Sequence, residues 1–401
     1  MSTARLLKIG MLNLVLVAFL GVLMRYKIGF EFTLVNQKNL QLAHSGFAFS
    51  GFVSFLLMIF IVDSIKANLH KNQLVRFNWL IYLNLLFAYT TCIFFIFTGY
   101  SEFAITSQVV GLIAGMLFII LLLDVLTTFP NRQISNWYKA GSIFYLLSIV
   151  ANIWLIYMFI SGKKTQYTYL AATYWFLHFQ YNGWFFFGCM GLLFSWLETK
   201  QLLFKQIPST FWFFALSCIP AYGLSVLWLN LPIWLYIIVI GSAFMQLIGM
   251  IQLCKLLFLN DVQGIIRKNG TVFLLLLISF GALFCKILLQ LGSTVPFISK
   301  LAFGFRPIVI AYLHLVLLAF TVLFLLGYTH LSGFILTNKK IIVATKLFAV
   351  FVVLNEIILG IQGIASLSYT VIPMVNEILL FISFILLMSA IAMLQFKSAK
   401  D

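Results

Sequence analysis

Apolar residues run through this sequence in long unbroken stretches, separated by short polar punctuation. The stretches are continuous and show no period-two alternation, which predicts helices and excludes barrel strands. Each is close to the roughly 20 residues that a helix needs to cross a bilayer. Twelve spans are expected. The first six are Leu7–Met24, Leu42–Ile65, Phe77–Tyr100, Phe103–Phe129, Ala140–Ser161 and Tyr167–Leu197. The next six are Phe211–Leu229, Pro232–Asn260, Thr271–Thr294, Pro307–Tyr328, Ile341–Ala365 and Pro373–Gln395. The expected fold class is an all-α integral membrane protein, a single twelve-span membrane domain over residues 1–401. Connections are short, and the longest, Arg25 to Gln41, has room for a turn or a brief interfacial helix. Any chemistry therefore belongs among the helices.

The polar positions inside the spans carry the candidate chemistry, because strongly polar side chains are costly at that depth. The sixth span holds the densest group, in Tyr174-Trp-Phe-Leu-His178-Phe-Gln180-Tyr181-Asn182-Gly183-Trp184. Tyr181 and Asn182 follow His178 by one turn and share its face, whereas Gln180 points elsewhere and suits a bond to another helix. His178 is a candidate metal, haem or proton-relay position, and the alternative is a cluster that fixes helix packing. Lys286 and Glu356 are each the sixteenth residue of their span, at matched depth. An ion pair between them would relieve both, either as a proton or ion relay or as a structural lock, with Glu377 as the alternative partner. Asp63, Asp124, Glu198, His70 and His330 fall at span ends and read as solvated groups.

Internal repeats can decide an architecture. His178 and His314 are 136 residues apart, and each opens a His-x-x-x-x-(Gly/Ala)-(Trp/Phe) frame ending at Gly183-Trp184 or Ala319-Phe320. Stepping back 132 residues from His178, the frame reads Gly46-Phe-Ala-Phe-Ser-Gly51-Phe52. The frames lie in spans 2, 6 and 10, which suggests three quartets at 1–138, 139–268 and 269–401.

Composition and charge alter this picture little. The chain is 63% hydrophobic and 8% charged, with a mean hydropathy of +1.10, which excludes a soluble domain. Its formal charge of +16 is spread in ones and twos between the spans. That pattern orients a membrane protein and gives no nucleic-acid surface. Alternate connections with the termini hold 17 Lys and Arg and the others hold seven, so both termini are expected in the cytoplasm, as in a bacterial inner-membrane protein. The first span follows Arg5 and Lys8 without a small-residue cleavage site and is expected to be retained. Five cysteines, all within spans and without a Cys-x-x-Cys pair, read as buried thiols.

Twelve spans, cytoplasmic termini, three quartets and histidines on spans 2, 6 and 10 resemble subunit I of the heme-copper oxidases and nitric oxide reductases. The resemblance covers the whole chain in layout and a few positions in motif. It implies that His44 and His314 ligate a haem, that Arg306 meets a propionate roughly 12 Å above His314, and that His178 serves a metal centre. The departures are specific. That family carries a His-His pair on span 7, where this chain reads Ser217-Cys-Ile-Pro-Ala-Tyr-Gly223, and His-x-His on span 10, where it reads Tyr312-Leu-His314. The repeat frame also places Gly46, not His44, opposite the other two histidines, which turns His44 about 200° round its helix. The implied protein has an incomplete active site and a haem or metal for electron transfer, gas sensing or haem handling, with a redox or respiratory partner in the membrane. From the residues themselves, a proton-coupled secondary transporter using Lys286, Glu356 and the His178 stripe is the alternative. It lacks an evident inverted repeat or Gly/Pro-broken helix pair. A cofactor-free structural or assembly subunit is the third reading.

Overall fold

The computed structural model describes residues 3–163, 165–202, 207–258, 260–336 and 338–398. Lys164, Lys205 and Lys400, which enter the charge count, lie outside them. The chain is helical nearly throughout. Its first half contains α1 (Thr3–Gly29), α2 (Gln37–Phe47), π1 (Ala48–Ser54), α3 (Phe55–Ile65), α4 (Lys71–Thr98), α5 (Glu102–Thr127), α6 (Arg132–Ser161), α7 (Gln166–His178), π2 (Phe179–Phe185) and α8 (Phe186–Thr199). Then come α9 (Ile207–Cys218), a 3₁₀ segment (Pro220–Val226), α10 (Ile233–Leu257), α11 (Asn260–Arg267), α12 (Gly270–Gly292), α13 (Pro296–Gly304) and α14 (Arg306–His314). The last elements are π3 (Leu315–Val322), α15 (Leu323–Leu331), α16 (Lys339–Leu367) and α17 (Val375–Met393). Ile335–Leu336 pairs antiparallel with Lys397–Ser398 in a two-residue ladder.

Among the described residues, ten helices are long and apolar enough to cross a membrane, or eleven if one bent pair counts as a single span. This is the make-up of a multi-pass membrane protein. The helical run over the expected sixth span, Gln166 to Thr199, is not among the ten. The bent pair is Pro208–Cys218 and Pro220–Val226, which meet at 49° over the expected seventh span.

Short polar residues start the helices. Asn36, Asn131 and Asn269 each accept hydrogen bonds from two backbone N–H groups in the first turn of α2, α6 and α12, and Thr165 caps α7. Asn131 also donates to Glu198, and Thr3 donates to Asp63, so two carboxylates expected at span ends are held by the protein.

The three π-helical stretches fall on the three repeat frames of the sequence. Each is followed by helix buried on every side: all of residues 51–62, 178–197 and 319–330 are buried. A π turn adds one residue to the α ladder and leaves a carbonyl to be satisfied from elsewhere. Side chains of neighbouring helices do this. Asn13 donates to Gly51 O, Cys218 donates to Asn182 O at 3.7 Å, and Ser279 donates to Phe320 O at 2.8 Å.

The helices form two compact units. The first comprises Met1–Val125, Val322–Gln362 and Val371–Asp401. In it α1 packs along α17, α2 packs on α4, and π1 is pinned by Asn13 from α1 and by Asn84 from α4. The Tyr89 hydroxyl in turn donates to Asn13 Oδ1. Phe60 packs between Tyr328 and Phe334, at ring distances of 5.2 and 5.6 Å.

The second unit comprises Leu126–Thr321 and Gly363–Thr370. Here α6 lies close against π2 and α8 because small residues sit at the crossing. Gly183 backs onto Phe144, Gly141 onto Phe187, and Gly191 onto Tyr138. Trp137 fills the space beside them, ringed by Phe186, Phe187, Phe194 and Phe211. This packing holds π2, and with it His178 and Asn182, in place.

Candidate functional site

Proline sets up the site. Pro220 has no N–H to continue the α9 ladder, and the chain tightens into a 3₁₀ turn in which Tyr222 N–H bonds to Ile219 O at 3.1 Å. Cys218 O, the acceptor that Tyr222 would use in an α-helix, is thereby released inside the second unit. His178 Nε2 takes it at 2.8 Å. A carbonyl only accepts, so Nε2 carries the proton and Nδ1 accepts from Asn182 Nδ2 at 2.9 Å. His178 is fully buried, and both its ring nitrogens are engaged by the protein. A metal at this imidazole would have to displace one of the two partners.

Beside this triad lies a small cavity lined by Asn182, Phe186, Phe187, Phe214, Cys218, Gln246, Leu283, Lys286 and Ile287. It leaves about 10 Å³ for the centre of a water-sized sphere, enough for one small occupant. Lys286 reaches it from α12 and Gln246 from α10, and both are only 5% exposed. The lining holds no carboxylate, and among the described residues no ion pair is formed by Lys286. Five helical elements, α7, π2, α9, α10 and α12, thus bring a histidine, two amides, a thiol and an ammonium together in an apolar surround.

The other residues singled out from sequence are distributed as follows. Gln180 turns away from His178, as its position predicts, and donates to Ser148 Oγ on α6 at 2.8 Å. Tyr181 sits 6.4 Å from the His178 ring and belongs to a second group with Tyr312. Its ring lies 6.2 Å from that of Tyr312. His314 is half-buried, with Nδ1 against Ile310 O at 2.9 Å one turn earlier. Arg306 is exposed at the first residue of α14. In the first unit, His44 Nδ1 meets Val17 O at 3.1 Å, and its ring rests on Gly21 of α1. Glu356, also in the first unit, accepts from the adjacent Asn355 at 3.1 Å. His330, expected to be solvated at a span end, is instead buried, with Nε2 3.4 Å from Thr345 Oγ1. The reason is the π3–α15 segment, which stays enclosed through its last turn. His70 is exposed, as expected.

His44 and His314 share a feature with ligating imidazoles. A metal-bound histidine usually directs its second nitrogen to a backbone carbonyl. Each of these two does so through Nδ1. Among the described residues there is no group of three or more His, Cys, Asp and Glu side chains placed to hold a metal ion.

Two contributors escaped sequence reasoning. Gln246 is an isolated amide in an apolar run, and nothing local marks the face it uses. The break at Pro220 overturns the expectation of an unbroken seventh span without a Gly/Pro-broken helix pair, and Pro220 and Gly223 within the apolar stretch were the signal for it. No protein-family model matches the chain, and none of the curated proteins matches it in sequence.

Proposed function

We propose that this chain is a multi-pass membrane carrier of the secondary-transport type, and that His178, Asn182, Cys218, Gln246 and Lys286 form its proton- and solute-binding site. The observation that carries this reading is the broken span at Pro220, whose freed carbonyl is met by a buried histidine beside a lysine that forms no ion pair among the described residues. Irregular backbone at membrane depth is tolerated where it is enclosed by protein or lines a cavity, and carriers place their sites at such breaks. The working topology is twelve spans in three quartets, with both termini cytoplasmic in a bacterial inner membrane.

The test is flux. Purified protein is reconstituted into liposomes enclosing a pH-sensitive dye. Halides, amino acids, sugars, alkali cations and organic amines are then added in turn. A carrier changes internal pH with at least one of these classes in the wild type and loses the change in Lys286→Met. Absence of any solute-driven change in the wild type overturns the proposal and leaves a structural or assembly subunit.

The carbonyl-bound Nδ1 atoms favour a second reading, in which His44 or His314 ligates a haem or metal and the chain is a degenerate relative in layout of heme-copper oxidase subunit I, working with a redox partner. The three π stretches on the three repeat frames support the same layout. An oxidised-minus-reduced spectrum of the purified protein decides it: a Soret shift with sharp α-bands that His314→Leu abolishes supports haem, and a featureless spectrum excludes it.

A further inference from the structure

The Lys286 cavity sets a lysine and two amides in an apolar lining. Lys286 offers an ammonium and Gln246 an amide, the Cys218 thiol is already turned to Asn182 O, and the remaining lining apart from Asn182 is aromatic or aliphatic. No carboxylate faces the cavity to balance the lysine. The C-terminal end of α9 lies on the cavity wall at Cys218, and a helix terminus supplies only about half an elementary charge. Its last carbonyl is already committed to His178. A lysine held in apolar surroundings with half a counter-charge carries its proton at a cost that a bound anion would remove. The space left suits a single small ion.

We propose that this cavity binds a single halide-sized monovalent anion, of the chloride class, held by the Lys286 ammonium and the Gln246 amide. The anion makes the buried cation a neutral pair. The inference rests on the carrier reading for the identity of the site and adds the substrate class. A proton and an anion moving together through one site carry no net charge, which suits a pathway through low dielectric.

The experiment is thermal unfolding of the purified full chain in detergent, in sodium chloride or bromide against sodium gluconate at constant ionic strength. An anion that binds only the folded state raises Tm saturably. The wild type should show a rise of roughly 2–4 °C with chloride or bromide and none with sulfate. Lys286→Met should show none with any salt. Gln246→Leu serves where the lysine variant does not fold, and should require at least tenfold more chloride for the same rise. Equal Tm in chloride and gluconate for the wild type overturns the proposal, as does an undiminished chloride rise in either folded variant. A chloride-dependent Tm in protein that moves nothing across liposomes would remove the carrier reading and leave the anion site standing.

Discussion

Alanine at Gly183 should destabilise the protein, and the reason is the approach of α6 to π2. A Cβ placed on Gly183 lies 2.4 Å from Phe144 Cβ and 3.1 Å from its Cγ. The first of these atoms is bonded directly to backbone, so no side-chain rotation relieves the clash, and the two helices must part. Overpacking of this kind costs about 1–3 kcal/mol. Alanine's better helix propensity returns about 0.5–1 kcal/mol. The net expectation is a loss of about 0.5–2 kcal/mol. Gly281 provides the opposite case. It is exposed on α12, and no atom lies within 4 Å of its would-be Cβ. Gly281→Ala should therefore keep the propensity gain and leave stability equal or slightly higher. Thermal unfolding of both variants in detergent, followed by tryptophan fluorescence, should show Tm falling by roughly 2–6 °C for Gly183→Ala and not falling for Gly281→Ala. Equal behaviour of the two variants would refute the close crossing that positions His178 and Asn182.

Asn13 is fully buried and bridges Tyr89 and the π1 carbonyl of Gly51. Asn13→Leu should cost about 1–2 kcal/mol, and Tyr89→Phe should cost less in that background than in the wild type, as a double-mutant cycle by thermal unfolding would show. Pro220→Ala restores an N–H and lets the helix run through the break. Tyr222 N–H then competes for Cys218 O, so the variant should remain folded while its chloride-dependent rise in Tm weakens. An unchanged chloride response in Pro220→Ala would separate the break from the site.

The parts legible in sequence were those set by local pattern. Continuous apolar runs gave the helices, because backbone polar groups in lipid must be satisfied within the segment. The His178–Asn182 pair followed from four-residue spacing, and the outward turn of Gln180 from the same geometry. The repeat frames located the π stretches without revealing their nature, since a π turn depends on carbonyl partners such as Asn13 and Ser279 that are distant in sequence. Ten helices meet the length and hydropathy test where twelve spans were expected. Two shortfalls have plain causes: Gln180 and Asn182 dilute the sixth span, and Pro220 breaks the seventh. The expected Lys286–Glu356 pair rested on matched depth alone, which says nothing about the helix face. Lys286 lines a cavity of the second unit, and Glu356 accepts from Asn355 in the first. Burial of His330 was invisible for a similar reason, because enclosure is a property of neighbouring helices and not of position along a span.

Access to the Lys286 cavity from both sides of the membrane tests the carrier reading most directly. Cys218 is a native reporter on the cavity wall, and a variant with Cys92, Cys189, Cys254 and Cys285 replaced by alanine leaves it as the single thiol. Right-side-out and inside-out vesicles would be treated with a small membrane-impermeant thiosulfonate, with and without chloride. A carrier site predicts labelling of Cys218 from each side, slowed by chloride. Labelling from one side only, or from neither, would contradict it.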